Sequence, residues 1–235
     1  MNPDFAPVLS AGGSTSVMRV DMHLHTSRSF DCLSDPERVL EAAAARNIDV
    51  ICVTDHNEIA TALELKAEYP DRVIVGEEVK TAEGVDVIGL FIEEQIPKGT
   101  PARRTCELIH EQGGIVYMPH PYAGGKGGDG KLLDELGRTI DAVEAFNGRI
   151  HKQKLNQRAA AWARTHERAM GAGSDAHTLA EVGRAYVEIP RCALEPAAFL
   201  AALRQGTVHG SGASYLVHLA STYAKLHKKV FGNRR

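Results

Sequence analysis

The chain has 235 residues, 43% of them hydrophobic, which suits one barrel-sized globular domain or two small ones and excludes intrinsic disorder. A net charge of −3 leaves no general basic field for nucleic acid or an anionic membrane, so any anionic substrate has to be attracted locally. No apolar run approaches the length of a membrane helix. The four cysteines (Cys32, Cys52, Cys106 and Cys192) lack C-x-x-C spacing, which argues against a disulfide framework or zinc knuckle and leads us to expect a cytoplasmic protein.

Residues 1–17 have neither the basic start nor the apolar core of a signal peptide, and read as a flexible extension rich in Gly and Ser. Met18 opens the folded part. Val20, Met22 and Leu24 alternate with Asp21, His23 and His25 in the period-2 pattern of a strand, which would send both imidazoles and the Asp21 carboxylate from one face. Asp35 as N-cap and Pro36 at the first helical position start a helix that runs to Arg46. A buried strand follows at Asp49 to Thr54, then a helix from Glu58 to Tyr69, stopped by Pro70. Arg72 to Thr81 and Val85 to Ile92 are β-rich runs joined by a hairpin turn at Glu83-Gly84. Ala102 to Gln112 is helical, Gly113-Gly114 ends it, and Ile115 to Met118 is a short strand.

Further on, helices are expected at Lys131 to Leu136, His151 to Glu167, Pro196 to Arg204 and Ser214 to Val230. Strands are expected at Ala142 to Phe146, Ala169 to Gly173 and Ala185 to Ile189. Strands alternating with helices throughout imply an α/β fold with a mainly parallel sheet, closed or nearly closed into a barrel. Without a second composition regime the chain reads as a single domain: a catalytic barrel at 18–213, with residues 214–235 a C-terminal helix and basic tail packed on it.

In parallel α/β architectures, chemistry gathers at the carboxyl ends of strands. The first strand ends in His23 and His25, with Asp31 in its loop, and the second in Thr54-Asp55-His56-Asn57. The third carries Gly76-Glu77-Glu78, and the fourth begins near Asp86. The next runs into Pro119-His120-Pro121, and a later one ends in Ser174-Asp175-Ala176-His177. Each motif alone has a structural explanation, but their joint occurrence at one rim points to a metal cluster. Asp21 and Asp55 are read as partners that orient the histidines.

Asp-x-His-x-His-Thr, Thr-Asp-His-Asn, Pro-His-Pro and Ser-Asp-Ala-His, in that order from about Met18 to about Arg191, resemble the motifs of the PHP (polymerase and histidinol phosphatase) superfamily. The resemblance implies a distorted (β/α)7 barrel and metal-dependent phosphoester hydrolysis, most like the small stand-alone phosphoesterases. It also implies the ligand sets: His23, His25, Glu77 and Asp175 on a first ion, Glu77 bridging to a second shared with His120, and Asp31, His56 and His177 on a third. Two or three divalent ions (Mn²⁺, Zn²⁺, Fe²⁺ or Mg²⁺) would then generate a hydroxide and neutralise the phosphoryl oxygens. Asp175, His56 and His177 would act in catalysis, a histidine protonating the leaving group where an ion is missing. This chain departs from the family at Asp86, where many relatives have histidine. That carboxylate either ligates, favouring harder ions, or faces away.

Arg28, Lys126, Asn147, Arg149 and Arg184 are the candidate substrate contacts, and Glu144 lies on the same rim. The glycine-rich run from Ala123 to Gly130 precedes no Lys-Ser/Thr and is not a phosphate-binding loop of the P-loop type. The expected substrate is a small phosphorylated metabolite or nucleotide, with no membrane partner. The alternatives are a nuclease trimming short oligonucleotides, for which the basic tail speaks, a non-catalytic metal-binding regulatory module, and hydrolysis at carbon as in amidohydrolase barrels. The last lacks an evident bridging lysine.

Overall fold

Two hydrophobic cores organise the protein. The computed structural model describes residues 17–124, 128–212 and 217–231. Strands β1 (Val17–Leu24), β2 (Val50–Val53), β3 (Val73–Lys80), β4 (Asp86–Leu90), β5 (Ile115–Met118), β6 (Ala142–Asn147) and β7 (Ala169–Gly173) enclose the inner core. Val20, Met22, Ile74, Ile88 and Tyr117 fill it. The outer core lies between the sheet and its helices, where Ile51, Val53, Val73 and Val116 meet Val39, Leu40, Ile109 and Trp162. Because nearly every strand is buried on both faces, neither face shows the polar alternation of a solvated sheet.

The sheet order is β7-β6-β5-β4-β3-β2-β1-β8-β9, with β8 (Ala185–Pro190) and β9 (Thr207–Gly210) continuing it past β1, and Val187 and Ile189 of β8 reach the inner core. Backbone bonds from Asp175 to His23 (2.7 Å) and from His25 to Ala176 (3.0 Å) close it between β7 and β1. The helices are α1 (Pro36–Ala45), α2 (Ala60–Glu68), α3 (Ala102–Glu111), α4 (Lys131–Leu136), α5 (Gln153–Thr165), α6 (Pro196–Leu203) and α7 (Val217–Phe231). Asp35 caps α1 as expected, accepting from the N–H groups of Glu37 and Arg38. Phe199, Ala202 and Leu203 of α6 join the inner core.

The expectation of a mainly parallel sheet is corrected. The β1–β2, β2–β3, β5–β6 and β6–β7 pairs are parallel. The β3–β4, β4–β5, β1–β8 and β8–β9 pairs are antiparallel. A tight hairpin replaces the crossover helix between β3 and β4, which distorts the (β/α)7 barrel. β9 had no counterpart in the sequence reading: it is a short, partly exposed edge strand without an apolar pattern. No helix among the described residues is long and apolar enough to cross a membrane.

Candidate metal centre

β1 does not run evenly into its histidines. Asp21 pairs with Ile51 and Leu24 with Val53, so β1 carries one extra residue in that interval, a β-bulge. Met22 therefore packs in the inner core and Leu24 in the outer one. Past the bulge His23 and His25 both face inward, but Asp21 does not share their face. Its carboxylate accepts from the backbone N–H groups of Ser174 and Gly183, both at 2.9 Å, and fixes the β1–β7 seam. Burial, partly offset by those bonds, raises its pKa to about 6. It touches no imidazole ring edge as an orienting partner. Glu144 Oε1 does so instead, 3.0 Å from His23 Nδ1, and Ser29 Oγ lies 3.1 Å from His25 Nδ1. Asp55 acts one step further back, accepting from the hydroxyls of Thr26 and Ser29.

The strand β3 overturns the expectation for Glu77. Val73, Val75 and Val79 belong to the outer core and Ile74 to the inner one, so even-numbered residues face inward. Glu77 consequently points outward, where its Oε2 accepts from Ile96 N at 2.8 Å and burial raises its pKa to about 7. Glu78 takes the central place. Its Oε2 lies 2.9 Å from His56 Nδ1, 3.4 Å from His25 Nε2 and 3.6 Å from His23 Nε2, and its Oε1 is 3.0 Å from His120 Nε2. Across the hairpin Asp86 pairs with Lys80, and its Oδ1 is 2.6 Å from Lys80 Nζ.

The remaining ligands leave from strand ends where the backbone turns sharply. His120 and Asp175 have φ of 29° and 52°, a left-handed geometry that costs energy for residues with a Cβ and recurs at functional sites. Gly173 lets β7 pass beside β1, since a Cβ there would stand 2.3 Å from His23 Cβ. Asp175 Oδ1 then approaches His25 Nε2 at 3.3 Å and His23 Nε2 at 3.7 Å. Asp31 Oδ1 lies 3.3 Å from His177 Nε2 and 3.5 Å from His56 Nε2.

Three groups of convergent donors result, each with ligand atoms within 4.8 Å of one another: His23, His25 and Asp175; His23, Glu78 and His120; His25, His56 and His177. The electrostatics call for cations. Burial would lower His23 and His120, yet the surrounding carboxylates hold both above the ordinary imidazole value, and His56 rises to about 9 beside Glu78 and Asp31. His25 moves the other way, lowered by burial and by His177 and His56. Asp31, Glu78 and Asp175 stay well below the carboxylate range despite burial, because imidazoles surround them. Both Asp31 oxygens, Glu78 Oε2, His56 Nε2 and His177 Nε2 are buried without a hydrogen bond. Unpaired lone pairs in that number are costly unless something positive binds them. The residues fit divalent metal ions.

A cleft of about 470 Å³ opens above the cluster, with Asp31, His120 and Asp175 on its floor and Arg149, Lys152 and Lys225 on its wall. Of the expected substrate contacts, the structure brings Asn147 and Arg149 here. Asn147 Nδ2 donates to Glu144 and Asp175, and Arg149 reaches His177 Nδ1 (2.7 Å), Glu181 (3.2 Å) and Ser221 (3.0 Å). Arg28 instead donates to Thr61, and Arg184 to the Ala180 carbonyl beside a separate cleft, so neither lines this one. Lys126 lies outside the described residues. Cys32 packs against the His25 and His177 carbonyls, its thiol raised to about 11 by burial. Glu78, Ser29 and Lys225 escaped the sequence reading. The Lys80–Asp86 pairing across the Glu83-Gly84 turn is the signal that would have found Glu78, because it sets which β3 residues face inward.

A family model described as PHP-associated matches residues 153–208, from α5 to β9, a stretch that includes Asp175 and His177. An uncharacterized protein of Methanocaldococcus jannaschii is 37% identical over 143 residues, covering 55% of this chain and 82% of that protein. A 5'-3' exoribonuclease of Haemophilus influenzae is 24% identical over 168 residues, 62% of this chain and 61% of the enzyme. Among solved structures, a two-domain Bacteroides vulgatus protein containing a predicted PHP-like metal-dependent phosphoesterase superposes with a TM-score of 0.67 at 16% identity, covering 83% of this chain and 65% of that one. The lesion-specific endonuclease of Pyrococcus furiosus gives 0.63 at 16% identity, over 82% and 57% respectively. With the ordered motifs seated at one rim of this barrel, the chain belongs to the PHP superfamily.

Proposed function

We propose that the protein is a metal-dependent hydrolase of phosphoesters acting on a small phosphorylated metabolite or nucleotide. The observation that carries this reading is the position of Glu78, a buried carboxylate facing four imidazoles, in a cluster whose Asp31, His120 and Asp175 line a cleft. His23, His25, Glu78 and Asp175 would hold one ion, and Asp31, His56 and His177 another. Bound divalent ions supply the charge that neutralises phosphoryl oxygens and acidifies an attacking water.

The chain's own groups do the rest. Glu144 and Ser29 hold the His23 and His25 rings with their Nε2 atoms turned to Glu78. Arg149, braced by Glu181, and Lys225, 3.5 Å from Asp31 Oδ2, set positive charge along the wall that an incoming phosphate meets. Where that second ion is absent, His56 and His177, which stand nearest Asp31, are placed to deliver a proton to a leaving alkoxide. A cleft of this volume is the size of a small-ligand site.

A second reading, trimming of short oligonucleotides, is favoured by the exoribonuclease relative and by Lys225 of α7 on the cleft wall. The test is a manganese-reconstituted preparation assayed on aryl phosphate mono- and diesters, mononucleotides and short oligonucleotides. Hydrolysis that disappears with chelator supports the proposal, and the preferred substrate separates the two readings. Protein with bound manganese confirmed by elemental analysis, yet inert towards all of them, overturns both.

A further inference from the structure

We infer that the Lys80 ammonium takes the place of one divalent ion, so that the centre of this chain holds two ions and a built-in monovalent cation. The inference rests on the metal-centre reading above and concerns the number of ions.

Two of the three ion positions that the motifs imply have full donor sets here. One is formed by His23, His25, Glu78 and Asp175, the other by Asp31, His56 and His177. The third would draw on Glu78 Oε1 and His120 Nε2, which lie 3.0 Å apart, and on residue 86. Asp86 is fully buried at the start of β4, directly opposite Lys80 in the hairpin register. Inward parity along β3 puts Lys80 on the face of Glu78, two residues on.

Asp86 keeps one oxygen, Oδ2, buried without a hydrogen bond, but the other is taken. Its Oδ1 lies 2.6 Å from Lys80 Nζ, within the range of a short charge-assisted contact. Lys80 is held in that place at both ends. Its Nζ donates to the Gly84 carbonyl at 3.2 Å, and its backbone N–H donates to Asn57 Oδ1 at 2.9 Å. An ammonium offers donors and no lone pair, so it cannot join a coordination sphere, and its charge repels a dication placed against the same carboxylate. What remains for a third ion is Glu78, His120 and a His23 whose Nε2 is already turned to the first ion, with Asp86 to be shared against the Lys80 ammonium.

The test is an anomalous-scattering map of the manganese-loaded wild-type protein together with its manganese content by elemental analysis. Two peaks are expected, with Lys80 Nζ still against Asp86. A third peak coordinated by Asp86, with Lys80 displaced, overturns the inference while leaving the hydrolase proposal intact. No bound manganese at all overturns both. Lys80→Met keeps the side-chain length and removes the charge, and is expected to raise the content from two ions per chain to three. A folded Lys80→Met protein that stays at two contradicts the inference, and should that variant fail to fold, the wild-type map decides alone.

Discussion

Ser29 has one hydroxyl proton, and its neighbours decide where it goes. Oγ donates to Asp55 at 2.6 Å and accepts from His56 N at 3.0 Å, so His25 Nδ1, at 3.1 Å, must be the N–H donor. The lone pair of His25 is thereby left on Nε2, turned to Glu78 and Asp175. Partners that fix a ligand in this way are worth about 10–100-fold in metal affinity. Ser29→Ala is expected to weaken manganese binding by that factor without unfolding the protein, as measured by competition with a chelating dye, and unchanged affinity would contradict it. The ligands themselves were largely legible in the sequence, because His23, His25, His56, His120, Asp175 and His177 sit in short motifs at strand ends. Glu78 was not. The apolar run Val73-Ile74-Val75 is buried on both sides and carries no face information, so choosing between Glu77 and Glu78 needed the hairpin register.

Among the elements, β7 is the one whose placement the site depends on most. It presents Asp175 and His177 and closes the barrel on β1, and Gly173 permits the approach. An added Cβ would meet His23 Cβ at 2.3 Å and both His23 N and Glu144 Oε1 at 2.8 Å. Two of those atoms are backbone or next to it and cannot yield. Gly173→Ala is expected to cost about 1–3 kcal/mol or more in urea unfolding and to lower manganese affinity as the seam opens. A variant as stable as the wild type would mean that the seam is looser than drawn. The element boundaries were readable from caps and turns, as at Asp35-Pro36 and Gly113. The β1 bulge was not, since the alternation of Val20, Met22 and Leu24 is intact in the sequence and slips only when β2 pairs beside it. β9 escaped for a similar reason: its partner β8 precedes a whole helix.

For the whole molecule, the buried ionisable groups set how stability changes with pH. The folded protein raises Asp21 from 3.8 to about 6, Glu77 from 4.5 to about 7 and His56 from 6.5 to about 9. Each raised group contributes stability that is complete below its ordinary value and lost as pH climbs through the folded one. Metal-free protein is therefore expected to melt at progressively lower temperature from about pH 6 to about pH 9. Manganese replaces the proton at the imidazoles, so the loaded protein should lose less between pH 7 and 9. A metal-free melting temperature that stays level or rises over that window would contradict the assigned environments.

The claim on which the rest depends is that Glu78, and not Glu77, is the carboxylate at the heart of the metal centre. The direct measurement compares Glu78→Gln and Glu77→Gln for manganese content and for hydrolysis of one aryl phosphodiester under identical loading. Glu78→Gln is expected to lose bound manganese and to fall at least about 100-fold in turnover, whereas Glu77→Gln should keep both near wild-type levels. A Glu78→Gln protein that retains its metal and its activity, or loss confined to Glu77→Gln, would contradict this architecture.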